Sequence, residues 1–528
     1  MMGKKKFLGI FVLIFLIYSR PISCKVYGQL PEDSSEVISP INLRYLYLGH
    51  WAYRYIDLLQ ERGYLKELLR ANRPYKRSQI IQAITELSKN SQLSRTERYW
   101  VKLLRDEFLN PKIIKKDNLT FYGEVVVDQD GFQRQNDARV DYFVSGELVA
   151  ALKNIVAVNR TFTDNKLKRD PFFLGRKDKL LTGRVNDAYG LVSFDRVDLF
   201  FGRLDRNWTP SAGKRSLILS RNPYSYDHLF VQFHSKRLSL SFMAAKLDNV
   251  PYITQEGEIP QTIATKYLSV HRVDIYPFSA LQIGLTEAAI YGGPGRRFEF
   301  SFLNPFNIFF EVAQNDQDTK LEGANGLWAV DIFLQPTRRW SLAGQFLIDD
   351  IILNDRANED FRSQFPDRLA YALQLNFNDF LIKNTLTQIE YRKVGNWTYQ
   401  SARLWESYLS RLKGIGEEQN DFDRWTLEWT AFPIPKWIFK FRFTRQRAGE
   451  GDIRAIFFPV KKPFPSGIVE TQTGSEFSLY FQPSRFFNAR IFLGIDRFRN
   501  FQHVSGNRQT FFNFGLSVSL QRGFFWEE

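Results

Sequence analysis

The sequence predicts a transmembrane antiparallel β-barrel preceded by a small helical segment, and three observations predict it. Long runs alternate apolar with polar residues, the chain opens on a segment that reads as a secretion signal, and no later stretch is apolar enough for a membrane helix. Successive side chains of a strand point to opposite faces, so strict alternation makes one dry side and one wet side. Lipid cannot hydrogen-bond backbone groups, and only a closed sheet leaves none of them exposed.

Residues 1–28 are expected to be the signal. Lys4, Lys5 and Lys6 form its charged region, and an apolar run from Phe7 to Tyr18 is interrupted only by Gly9. That run is too short to span a bilayer and suits removal, with Val26 and Gly28 placed for a cut before Gln29. The alternative is lipidation at Cys24, the only cysteine. After a cut at Gln29 no cysteine would remain, which excludes a disulfide framework and thiol chemistry.

Residues 29–116 are expected to form a periplasmic helical segment. Trp51, Tyr55, Leu58 and Leu59 recur at helical spacing, and Gly63 interrupts before Tyr64, Leu65, Leu68 and Leu69. Pro74 and Ser78 are start signals for a helix carrying Ile80, Ile81, Ile84 and Leu87, and Ser94 caps another carrying Trp100, Leu103, Leu104 and Phe108. So small a bundle should lean on the barrel's end. Its stripes read as core, with lipid or partner docking as the other reading.

Residues 117–528 are expected to be the barrel. In the last run Phe512, Phe514, Leu516, Val518 and Leu520 oppose Asn513, Gly515, Ser517, Ser519 and Gln521. Around a turn at Pro433 and Pro435, Trp425, Leu427 and Trp429 alternate with Arg424, Thr426 and Glu428, and Phe439, Phe441 and Phe443 alternate with Lys440, Arg442 and Thr444. Tyr371, Leu373, Leu375 and Phe377 oppose Ala372, Gln374 and Asn376. Charges on one face with tryptophan and phenylalanine near strand ends fit a wet lumen and interfacial aromatic girdles. At roughly 20 to 24 residues per strand and connection, about 400 residues give 16 to 20 strands, and an even count of about eighteen is expected. Polar stretches at 163–182, 249–262, 354–366, 402–421 and 449–473 read as extracellular loops.

The chemistry the sequence offers is charge. Lys and Arg number 72 against 57 Asp and Glu, a formal net charge of +15, concentrated at 160–184, 196–221 and 442–454. Charges facing lipid are costly, so most should face the lumen or loops, where they attract anions or grip lipopolysaccharide phosphates. The five histidines include His228 and His234, which share a strand parity. Two histidines fall short of the three or four groups a metal site needs, and no nucleophile elbow or phosphate loop accompanies them. No catalytic residue, metal site or cofactor is expected, and nucleic acid is a poor partner in this compartment. Trp208, close to Arg203, Asp205 and Arg206, reads equally as a sugar-stacking surface and as a girdle residue.

These residues resemble the capsule assembly Wzi family of outer-membrane proteins. The matching segments are GRLDRNWTPSAG at 202–213 with LILS at 217–220, HRVD at 271–274, GLTE at 284–287 with IYG at 290–292, LNP at 303–305, Asp331, and GQFLIDD at 344–350. RPYKR at 73–77 is similar to the family's periplasmic start, and Thr209 departs from a glycine common in the family. The resemblance implies an outer-membrane barrel with a periplasmic helical bundle that binds and helps assemble or retain surface polysaccharide, lectin-like and non-catalytic. Charge makes an acidic polysaccharide the expected partner, with outer-membrane lipid and lipopolysaccharide around a monomer. The alternative class is a channel for anionic solutes or glycans. The expected glycan-binding or lumen network is Arg203, Asp205, Arg206, Trp208, Arg272, Glu287, Asp331, Gln345 and Asp349. Of these, Glu287, Asp331, Asp349, Arg203 and Arg272 are expected to point into the lumen and hydrogen-bond one another, the acids neutralising the arginines.

Overall fold

The computed structural model describes residues 39–109, 119–134, 137–179, 181–252, 262–316, 323–350, 366–458 and 460–527. The expected signal segment, with both its processing alternatives, lies outside these residues, as do most of the loops expected at 249–262 and 354–366.

Three helices come first: α1 (Ala52–Glu61), α2 (Arg77–Ser88) and α3 (Arg95–Phe108). α3 begins where Ser94 Oγ accepts from the Glu97 N–H at 3.2 Å while the Glu97 carboxylate accepts from the Ser94 N–H at 2.7 Å. This reciprocal cap satisfies two donors that a helix start otherwise leaves open. The helices' apolar faces join barrel residues Leu386, Phe432 and Ile438 in one buried cluster. A segment this short buries too little surface by itself, so the barrel completes its core. Polar ties pin it there: Trp51 Nε1 donates to Gln521 at 3.0 Å, and Lys76 Nζ meets Asp198 at 2.8 Å.

The chain changes from helix to strand between Phe108 and Thr120. Eighteen antiparallel strands then close a barrel. They are β1 (Thr120–Arg134), β2 (Asp137–Leu152), β3 (Ile155–Asp164), β4 (Gly183–Ser193), β5 (Val197–Arg203), β6 (Asp227–His234), β7 (Leu238–Lys246), β8 (Thr262–Phe278) and β9 (Leu281–Pro294), followed by β10 (Ala324–Thr337), β11 (Trp340–Asp350), β12 (Arg368–Asn378), β13 (Thr385–Val394), β14 (Phe422–Ala431), β15 (Trp437–Ala448), β16 (Glu470–Ser484), β17 (Phe487–Arg499) and β18 (Arg508–Glu527). β18 returns to β1 in unbroken register from Thr120 opposite Glu527 to Arg134 opposite Asn513, so the sheet has no free edge. The alternation read from sequence sets the faces. Leu148, Phe201, Leu373 and Phe512 are 47–67% exposed on the outside, a belt that lipid and not water suits. The helices cover the end where strands are joined by tight turns.

Among the described residues, several connections depart from simple loops, and three of them bear on the site. Residues 204–226, between β5 and β6, and 395–421, between β13 and β14, fold into the lumen. The second corrects the extracellular loop expected at 402–421. Tyr408, Leu409 and Ile415 are apolar, and they bury against Leu217, Ile218 and Leu219 of the first connection. Lumen-facing side chains from β1 to β13, among them Val156, Phe230, Val270, Ile290, Leu327 and Ala372, pack in the same cluster. The third connection, after β9, lies on the outer wall. Its Phe302, Phe309 and Val312 cover Phe242, Tyr267, Ala289 and Tyr291, which have outward parity.

Candidate functional site in the lumen

The two inward connections hold each other by hydrogen bonds to backbone carbonyls. Tyr399 Oη donates to Leu217 O at 2.6 Å, Tyr408 Oη to Ile218 O at 2.9 Å, and Ser220 Oγ to Gly416 O at 2.6 Å. A Cβ on Gly416 would lie 2.0 Å from Leu217 O, so only glycine lets these backbones approach. Thr209 builds its own turn, its Oγ1 accepting from the Ser211 N–H at 3.3 Å.

The wall fastens this plug through a chain of charge. Arg272 donates to Asp274 at 2.7 Å, to Thr286 at 2.9 Å and to Asp331. Gln345 links Asp331, at 2.5 Å, to the Trp208 carbonyl, at 2.9 Å, and accepts from the Leu217 N–H. Gly284 makes room for this chain, since a Cβ there would meet Arg272 Nη2 at 2.1 Å.

Of the expected network, the structure therefore brings together Arg272, Asp331, Gln345 and the backbone of Trp208. The other members lie apart. Trp208 is fully buried within the plug and offers a face neither to a sugar nor to the membrane interface, which corrects both readings given for it, stacking surface and girdle residue. Arg206 is buried beside it, donating to His228 Nε2 at 3.1 Å, and Asp205 accepts from Asn186 at 3.4 Å. Asp349 does face the lumen, but it accepts from the Tyr399 N–H at 2.6 Å and lies 3.7 Å from Arg368. Arg203 corrects a second expectation. It shares parity with Leu199 and Phe201 on the outer face and pairs with Asp227 at 2.5 Å. Glu287 corrects a third, because it shares parity with Leu285 outside the barrel. There it meets His271 Nε2 at 2.8 Å and accepts from the Phe309 and Phe310 N–H groups at 3.0 and 2.8 Å.

A feature that motif reading missed lies on the other side of the lumen. A cavity of about 570 Å³ is bounded by β13 to β16, by α1 and by plug residues 212–215. It reaches from Arg54 and Glu61 up to Gln446 and Gln472, which stand two residues below the long-loop ends of β15 and β16. Seven lysines and arginines and five acids line it. Glu390 sits 3.2 Å from Lys214 and 3.0 Å from Arg392, and Glu417 also pairs with Arg392. Glu428 collects Lys214 at 2.9 Å, Arg442 at 3.0 Å and Lys440. The inward charges of the β14–β15 hairpin were legible as an alternating face. That Lys214 and Arg215 close onto them was not, because the basic stretch and the motifs read at 196–221 carry no periodicity that would say what the segment packs against. A second cavity, of about 770 Å³, opens under the helical segment at the tight-turn end, lined by Tyr64, Arg70, His234 and Arg237. Among the described residues no group of acids, histidines and cysteines is arranged to hold a metal ion.

The family model described as capsule assembly protein Wzi matches residues 116–512. Among solved structures the chain is similar to Escherichia coli Wzi, described as a carbohydrate-binding β-barrel involved in group 1 capsule assembly. The two share 12% identity at a TM-score of 0.59, over 90% of this chain and 99% of that one. Two Pseudomonas aeruginosa outer-membrane proteins match more loosely. OccD3 does so at 9% identity and a TM-score of 0.44 over 78% of this chain and 92% of its own, and OprD at 10% and 0.45 over 78% and 97%. No match was found among curated protein sequences.

Proposed function

Because the chain belongs to the capsule assembly Wzi family, we propose that it is an outer-membrane lectin that binds and helps retain or assemble a capsular-type polysaccharide without catalysing a reaction on it. The observation that carries this reading is the plug. Two inward connections and their core occupy the lumen against β1 to β13, and the helices cover the tight-turn end. Toward the long-loop end a basic recess remains, which suits holding a chain better than passing one. Its excess of positive charge favours an acidic glycan. In this reading the helical segment lies on the periplasmic side, the long loops face outward, and a single chain is sufficient, surrounded by lipid and lipopolysaccharide. A strain lacking the protein should make its polysaccharide in unchanged total amount but release it into the medium. Full retention at the surface would remove the lectin reading.

A further inference from the structure

We propose that Arg215 and Arg424 form an anion subsite in the β13–β16 cavity, taking the carboxylate or another acidic group of a polysaccharide repeat. This rests on the glycan-binding reading and names where the acidic group goes. The carboxylates around the cavity are already engaged. Glu390, Glu417 and Glu428 are held by Lys214, Arg392, Lys440 and Arg442, while Asp57 and Glu61 pair with Arg73 and Arg70 of the helical segment. Arg215 and Arg424 line the same cavity and have no ion pair among the described residues.

The register explains why they sit together. Arg424 on β14 lies directly opposite Arg392 on β13, and like charges so placed repel. Arg392 in turn donates to the Arg215 carbonyl at 3.0 Å, which brings that plug residue to the same level. Three arginines thus gather where Glu390 and Glu417 make their short contacts with Arg392 and attract Arg424 only from a longer range. In a confined lumen of reduced dielectric that excess is felt more strongly than in water. An incoming acidic group relieves it, and the guanidinium fork suits a carboxylate, sulfate or phosphate. The row continues across the sheet: Arg424 faces Gln446, and Gln446 faces Gln472. Two cations followed by two amides at one height near the open end match an acidic sugar, charge on one side and hydroxyls on the other.

The test uses the purified full-length protein, with trigalacturonate as the acidic probe and maltotriose as the neutral one, read by titration calorimetry. Wild type should bind trigalacturonate and not maltotriose, with binding at least tenfold weaker in 1 M NaCl, where the screening length falls to about 3 Å. Arg424→Gln and Arg215→Gln should each weaken binding at least tenfold, and Arg424→Lys should lie between. Arg215 is on the plug and outside the strand ladder, so its variant keeps the barrel intact if Arg424→Gln does not fold. Wild-type binding that both glutamine variants retain would overturn the subsite and leave the lectin reading standing. Equal binding of both probes, or of neither, would overturn the subsite as well, while the release of polysaccharide by the deletion strain judges the lectin reading separately.

Discussion

Arg272 is fully buried, and its charge is tolerated because Asp274 and Asp331 both accept from it. Removing one partner of such a group leaves an uncompensated charge, at a cost of about 3–5 kcal/mol. Asp331→Ala should therefore lower the temperature at which the barrel loses its heat-modifiable mobility in detergent electrophoresis, with Asp331→Asn milder. Trp208→Ala should behave as a core truncation, losing about 3–5 kcal/mol of stability, and not as the loss of an exposed stacking surface. In the helical segment, burial raises the Glu107 carboxyl, but His50 and Arg77 outweigh it and hold the group down at about 2. A carboxyl depressed in the folded state stabilises above its unfolded value, near 4.3. That contribution is lost as pH falls from there through about 2. Guanidinium unfolding followed by Trp51 and Trp100 fluorescence should show this slope in wild type, and Glu107→Gln should flatten it. Parity made Asp331 and Arg272 legible as lumen residues. The same parity puts Arg203 and Glu287 on the outer face with Phe201 and Leu285; they enter the expected network through motifs, which carry no information about face.

At the scale of elements, wall strands were readable because each carries its own alternation, whereas the plug carries none. Leu217, Ile218 and Leu219 are consecutive apolar residues, and such a run says that a segment is buried without saying against what. Their partners lie nearly 200 residues away, Tyr408 bonding Ile218 and Ile415 bonding Ser220. Gly416→Val should force these backbones apart and loosen the plug, so that trypsin reaches the backbone at Arg215 and Arg221, whose side chains already face open space, in a barrel that still runs as folded. The connection on the outer wall depends in a similar way on one carboxylate. Glu287→Ala leaves the Phe309 and Phe310 N–H groups without their acceptor, at about 1–3 kcal/mol per donor. Residues 300–316 should then exchange backbone hydrogens faster in nanodiscs while β9 stays protected. Unchanged protection would show that apolar packing alone holds this segment.

For the whole molecule, closure, the apolar belt and the leading helices were all present in the sequence as periodicities, because each is a repeated local pattern. What filled the lumen was not, since packing between distant loops leaves no period. That content separates the two functional classes. A wall of eighteen strands encloses room for a channel. Here most of the β1–β13 side of the lumen is core, and open space is left as a charged recess ending on α1 and as a cavity under the helices at the tight-turn end. The most direct test is the conductance of the purified protein in planar bilayers. The account predicts no long-lived open steps in wild type, and steps that emerge once Gly416→Val loosens the plug. A large, steady, anion-selective conductance in the wild-type protein would contradict it.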